Sequence, residues 1–163
     1  MKVEQKLLAI ANRFVENTNL YNQKKPFSER ISMTVKRLQK LIYFAEIRYM
    51  LEREGEQLFD TDYCAWPSGA VIPEIYHQYV QRQGEVAMNA VESSYILNDF
   101  TRDIIDDVFK KTIEIDTLDL VNMTLKKGTP WAAFFNSEDD RHKQIIPKVE
   151  IYNYYSKHPK EAI

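Results

Sequence analysis

The chain has 163 residues and near-balanced charge, 22 Lys+Arg against 24 Asp+Glu, for a formal net charge of −2. That length suits one domain of ordinary size. With 44% hydrophobic and 28% charged residues, four glycines and six prolines, the composition excludes wholesale disorder and collagen-like or low-complexity classes, and the charge balance argues against a dedicated duplex-DNA binder.

Val3, Leu7, Leu8, Ala11, Phe14 and Val15 recur at helical spacing and predict an amphipathic first helix ending near Thr18 and Asn19. Residues 21–30 read as a loop. Asn22, Lys24, Lys25 and Ser28 supply turn chemistry there, and Pro26 disfavours helix at Lys25. A second helix follows, capped by Ser32 or Thr34. Leu38, Leu41, Ile42, Ala45 and Tyr49 line one of its faces; Tyr43, Phe44, Ile47, Met50 and Leu51 line another. A helix apolar on two faces is packed on both, so this one is expected at the centre of the fold. Gly55 is its expected C′ glycine.

Residues 57–59 and 63–66 flank Asp60-Thr61-Asp62 and predict a small hairpin. Pro67, Ser68 and Gly69 form a second turn. Pro73 opens a third helix over 73–82, with Gly84 after it. Residues 85–97 alternate only weakly and read as irregular or as a short strand. Asn98 or Asp99 caps a fourth helix whose buried stripe is Phe100, Ile104, Ile105, Val108 and Phe109. Asp116 caps a fifth, with Leu118, Val121 and Leu125 inside and Gly128 past its end. Thr129-Pro130-Trp131 opens a short helical turn through Phe135, residues 136–141 are polar and exposed, and Pro147 starts a last helix carrying Val149, Tyr152 and Tyr155. The predicted fold is mainly α, an α-rich α+β domain over residues 1–158. About six helices surround a central two-faced helix, with one small β-hairpin and a frayed tail at 159–163.

The chemistry-bearing residues are sparse. Cys64 is the single cysteine, so no intramolecular disulfide forms. It reads as a buried structural thiol. No apolar run approaches the ~18 residues that span a bilayer, and Glu4, Gln5 and Lys6 break any signal-peptide core. The expected location is the cytoplasm, with no membrane partner. His77, His142 and His158 lie far apart without ligand spacing, so no metal is assigned. Asp99, Asp103, Asp106 and Asp107 form the densest acidic cluster. Asp103 and Asp107 share a helix face and could hold a divalent ion, but helix capping, dipole compensation and solvation are the better account of the cluster. No phosphate loop or nucleophile elbow is visible, so no catalytic residue and no cofactor is assigned. Lys24, Lys25, Arg30, Lys36, Arg37 and Lys40 concentrate positive charge near the start of the second helix, where it opposes the helix dipole. An acidic protein surface or phosphate could answer it. The tyrosines are numerous, and Tyr152, Tyr154 and Tyr155 cannot all face inward from one helical turn, which leaves some for recognition.

Three segments resemble a known family. Leu38-Gln39-Lys40-Leu41-Ile42-Tyr43-Phe44-Ala45 is similar to the "LQKLLYfa" helix of the Panacea domain, the SocA-like or GepA-like phage-associated antitoxin domain. Ala65-Trp66-Pro67-Ser68-Gly69-Ala70-Val71-Ile72-Pro73-Glu74-Ile75-Tyr76 resembles its "AW..GPVvp.vY" signature, and Pro130-Trp131 its downstream "PW". Two features depart from the pattern. Ala70 stands where the family usually has proline, and the stretch Asn122-Met123-Thr124-Leu125 lacks the histidine often found before "PW".

The resemblance implies an antitoxin-type binding module that neutralises a cognate toxin by direct contact, with a protease as a further partner where the toxin is delivered for degradation. It implies no enzymatic activity. Leu38, Leu41, Tyr43, Phe44, Gly69, Val71, Pro73, Tyr76 and Pro130 are then structural motif residues. Gln39 and Lys40 are polar on an otherwise apolar helix. Either their polar ends bond the loop between Trp66 and Pro73 or reach water, or they line, with Trp66 and Trp131, a groove that receives the toxin. A DNA-binding regulator using the basic residues, and a metal-dependent enzyme using the aspartates, are the alternative readings.

Overall fold

The computed structural model describes residues 2–83 and 89–163. Among these residues it contains seven α-helices, a three-stranded antiparallel sheet and two 3-10 turns. In chain order these are α1 (Gln5–Gln23), a 3-10 turn (Phe27–Glu29), α2 (Val35–Glu52), β1 (Tyr63–Trp66), β2 (Gly69–Val71), α3 (Pro73–Gln83), α4 (Asp99–Thr112), α5 (Thr117–Thr124), α6 (Pro130–Phe134), β3 (Ile145–Ile146), α7 (Lys148–Lys157) and a second 3-10 turn (Pro159–Glu161).

Helix α2 is the centre. Thr34 caps it by accepting the Arg37 N–H at 3.1 Å. Leu38, Leu41, Ile42, Phe44 and Ala45 are wholly buried, and α1, α3, α4, α5, α7 and β2 all pack on this helix. Tyr43 meets the rings of Tyr63 and Tyr155 edge-on, at 5.2 and 6.2 Å between centroids. Aromatic pairs in this geometry contribute about 0.5–1.5 kcal/mol each beyond their buried area. The helix ends one residue earlier than its glycine suggests. Glu54, at φ +52°, is the left-handed C′ residue, and the Gly55 N–H closes the motif on the Met50 carbonyl at 2.8 Å.

Helix α1 runs past Asn19 to Gln23, into residues expected to be loop. Tertiary contacts carry that last turn. The Tyr21 ring packs edge-on against Phe109. The Asn22 side chain donates to the Ile31 carbonyl and accepts its N–H, both at 2.8 Å. The same device recurs. Asn12 of α1 takes both backbone groups of Val91, and Gln39 of α2 takes both of Ile72. Each amide pairs with both backbone groups of one residue, as a neighbouring strand would, satisfying groups that are costly to leave bare.

The hairpin is not the one expected between 57–59 and 63–66. Strand β1 pairs with β2 around Pro67 and Ser68, in register Cys64↔Val71, Ala65↔Ala70 and Trp66↔Gly69. Its other neighbour is β3, far along the chain, paired Tyr63↔Ile146. Residues 57–59 are no strand because carboxylates of the helical layer claim the local N–H groups. Glu46 accepts those of Leu58 (2.9 Å) and Phe59 (3.4 Å), and Glu4 those of Asp60 and Thr61.

Asn98 caps α4, accepting the Thr101 N–H, and Asp116 caps α5, accepting that of Asp119. Ile104, Ile105 and Val108 of α4 are buried. On α5 the expected stripe is rotated: Leu118 is 67% exposed and Leu120 takes the buried place beside Val121. On α7, Val149 is exposed, while Ile151 and Tyr155 are buried. The C-terminal tail expected to fray is tied down: Pro159–Glu161 forms a 3-10 turn, and the Ile163 carbonyl accepts from Arg48 at 3.0 Å. Gly84 and the first part of the stretch read as irregular, 85–88, lie outside the described residues; residues 89–97 form no helix or strand.

Candidate functional site

The site forms where the N-terminal half of α2 meets the β1–β2 hairpin. Gln39 and Lys40 leave α2 toward β2. Gln39 Nε2 donates to the Ile72 carbonyl at 3.0 Å, and the Ile72 N–H donates to Gln39 Oε1 at 2.9 Å. Lys40 Nζ donates to the Ala70 carbonyl at 2.9 Å. The Ala65 N–H of β1 turns to the Gln144 carbonyl on the β3 side, so the groups of Ala70, its partner in register, point away from β1. The outer edge of β2 is therefore closed by helix side chains, which protects it from pairing with another chain.

Lys40 is wholly buried, and among the described residues it has no carboxylate partner. Burial, with Lys36 nearby, pulls its pKa down from 10.5 to about 7. Gly69, at φ +115°, makes room for it: a Cβ there would lie 2.6 Å from Lys40 Nζ.

The two indoles are linked in series. Trp131 Nε1 donates to the Trp66 carbonyl at 2.6 Å, and Trp66 Nε1 donates to the His142 carbonyl at 2.9 Å. Trp131 stacks on Phe135, and Trp66 meets Tyr76 edge-on at 5.2 Å. A cavity of about 420 Å³ opens beside Trp66. Helix α2 and its cap line it with Thr34, Val35, Lys36, Gln39 and Lys40; the hairpin adds Trp66, Ser68 and Val71; α3 adds Tyr76 and Val80; α5 adds Thr117, Leu118 and Val121. The volume falls in the range of ligand and side-chain pockets, and the walls are mainly apolar.

A family model for the antitoxin SocA-like Panacea domain matches residues 38–132. The chain belongs to this family. No curated protein and no solved structure matches it. The matched segment of this Panacea domain starts inside α2 and ends inside α6, so it holds the hairpin and most of the cavity wall.

Of the four residues expected to line a groove, the structure brings three to the cavity: Gln39, Lys40 and Trp66. Trp131 is not in its wall and supports Trp66 from behind. The polar ends of Gln39 and Lys40 bond the loop between Trp66 and Pro73, the first of their two readings. The motif residues Leu38, Leu41, Tyr43, Phe44, Gly69, Val71 and Pro130 are buried, while Pro73 and Tyr76 are half-buried. Val80, Leu118 and Val121 were not foreseen at a site. No signal in the sequence marks Leu118, whose spacing with Val121 and Leu125 reads as a buried stripe; its exposure follows from how α5 packs.

The Panacea domain pairs several of its other charged residues within the fold. The basic cluster is split. Arg37 is buried and donates to the carbonyls of Ile115 and Thr112, both at 2.8 Å, and Lys40 faces the hairpin. Lys24, Arg30 and Lys36 remain exposed. Asp106 pairs with Arg13 at 2.7 Å and Asn17 at 2.8 Å, and Asp107 with Arg48 at 2.8 Å and Lys111 at 3.1 Å. These partners hold both carboxyls below the usual aspartate range. Asp99 pairs with Arg102. Among the described residues no group of three or more His, Cys, Asp or Glu is placed to hold a metal ion. Cys64 is only half-buried, and burial with nearby Glu74, Asp62 and Asp139 raises its thiol pKa, which disfavours the thiolate. A buried ion pair that sequence reading missed joins Glu46 of α2 to Lys148 of α7 at 3.1 Å. No helix among the described residues is long and apolar enough to cross a membrane.

Proposed function

We propose that this Panacea domain is an antitoxin-type binding module. It acts in the cytoplasm as a binder and not as an enzyme, and neutralises a cognate toxin by seating part of it over the α2–hairpin cavity. The observation that carries the reading is the convergence of Gln39, Lys40, Trp66, Val71 and Tyr76, all within the family-matched segment, on one largely apolar cavity of about 420 Å³. Gln39 and Lys40 build the wall through the hairpin; Trp66, Tyr76 and Leu118 offer the apolar contact area that anchors protein interfaces. Trp131 holds Trp66 in place. Masking is the primary mechanism, and delivery of the toxin to a protease is the second.

The test is co-expression with the toxin encoded in the adjoining reading frame. Leu118→Asp changes an exposed residue, and Trp66→Ala removes the cavity's largest ring. Both, confirmed as folded by circular dichroism, are expected to lose neutralisation. Full neutralisation by both folded variants overturns the surface. Toxin abundance separates the mechanisms: masking leaves it constant, and delivery lowers it.

A further inference from the structure

The docking cavity carries a pronounced charge bias. Two of its lining residues are basic, the exposed Lys36 and the wholly buried Lys40, and among the described residues no carboxylate lines it. Lys36 sits in the first turn of α2, which contains no acidic residue to offset the positive helix end. Nearby Asp116 is already committed, because it caps α5 and faces the Arg37 guanidinium. Lys40 Nζ offers three donors, and among the described residues only the Ala70 carbonyl accepts one. The rest of the lining is largely apolar, with Trp66, Val71, Val80 and Val121, and with Leu118 67% exposed. The lining thus combines a basic side chain at the start of α2 with apolar surface.

We propose that the occupant is a protein segment presenting one large apolar side chain flanked by carboxylates, with the apolar anchor between Trp66, Val121 and Leu118 and the acidic flank over Lys36 at the start of α2. This rests on the docking reading above and adds the chemistry of the segment. The anchor supplies affinity by displacing water from the apolar wall. The flanking carboxylates select orientation and raise the encounter rate, as complementary charges at an interface rim do. A lysine-flanked anchor would bring like charge up to Lys36, beside which no carboxylate of the described residues lines the cavity, and is disfavoured.

The experiment uses the full chain and two acetylated, amidated nine-residue peptides, each with a central phenylalanine, one flanked by glutamates and one by lysines. Binding is followed by the Trp66 indole N–H and Val121 methyl signals in nuclear magnetic resonance titrations. The glutamate peptide is expected to shift both signals and to bind roughly three- to tenfold tighter than the lysine peptide, a gap that shrinks as salt is raised. Lys36→Glu, at an exposed position, should close or reverse that gap, and the charge-neutral Leu118→Ser should weaken both peptides. Equal affinities that Leu118→Ser lowers together would overturn the acidic flank while leaving the docking site standing. No shift at Trp66 or Val121 with either peptide would overturn both.

Discussion

Gln39 and Ile72 are joined by two hydrogen bonds running in opposite directions, 3.0 Å from the amide to the carbonyl and 2.9 Å back from the backbone N–H. A helix side chain thereby does what a fourth strand would do for β2. One residue on, Lys40 completes the edge through Ala70. The pair welds the central helix to the hairpin, so the position of Trp66 over the cavity depends on two polar residues that never reach the surface.

Gln39→Leu keeps the volume and removes both bonds. It strands a buried N–H and a buried carbonyl, each costing about 1–3 kcal/mol. The expected loss is about 2–4 kcal/mol in urea unfolding, with the hairpin amides losing hydrogen-exchange protection first. A change under about 0.5 kcal/mol would show that the edge tolerates being bare.

Lys40 gives the fold a distinctive alkaline behaviour. Its folded-state pKa is about 7, against 10.5 for an ordinary lysine. Below about pH 7 both states carry the proton and the contribution is flat. Between these values the unfolded chain binds more protons, so stability climbs as pH rises. The gain should reach a few kcal/mol, on the scale of ~1.4 kcal/mol per unit. Lys40→Met should lack this climb, which paired urea titrations at pH 7 and pH 10 measure directly; parallel slopes would contradict a proton lost on burial.

Gly69 and Gly128 form a matched control. Both have positive φ, +115° and +88°, but a Cβ at Gly128 meets nothing within 4 Å, whereas one at Gly69 meets Lys40 Nζ at 2.6 Å. Gly128→Ala should cost about 1–2 kcal/mol from backbone strain alone. Gly69→Ala should cost at least about 1 kcal/mol more, because Lys40 must leave the Ala70 carbonyl. That excess should vanish in a Lys40→Ala background, as a double-mutant cycle would report.

Glu46 accepts the Leu58 N–H, the Phe59 N–H and the Lys148 ammonium in a wholly buried position. Burial pushes its carboxyl pKa up while Lys148 draws it back. Glu46→Ala leaves the Lys148 charge buried without its partner and should cost about 3–5 kcal/mol by thermal or denaturant unfolding. Adding Lys148→Met should recover part of that loss. A double variant less stable than Glu46→Ala would show that the Lys148 ammonium contributes through the Phe59 ring, 4.0 Å away, and the Phe59 carbonyl as well as through Glu46.

The local, periodic features are legible in the sequence: an α-rich chain, a central helix apolar on two faces, the Asp116 cap, the turn of helix after Pro130, and the caps of α2 and α4 to within two candidates each, of which the structure selects Thr34 and Asn98. These follow from the spacing of apolar residues and from short polar side chains beside helix starts, which are properties of neighbouring residues. The motifs around Gln39, Trp66 and Trp131 also placed the chain in its family. Tertiary structure decided the rest. The strand partner of Tyr63 is Ile146, and the group that claims the N–H groups of Leu58 and Phe59 is the Glu46 carboxylate of α2. The last turn of α1 depends on Asn22 reaching Ile31, and the exposure of Leu118 on how α5 is rotated against α2. In each case the deciding partner is remote in the chain. A buried backbone group must be satisfied, but local sequence does not say by whom; that is settled when the helices bring an amide, an ammonium or a carboxylate within 3 Å.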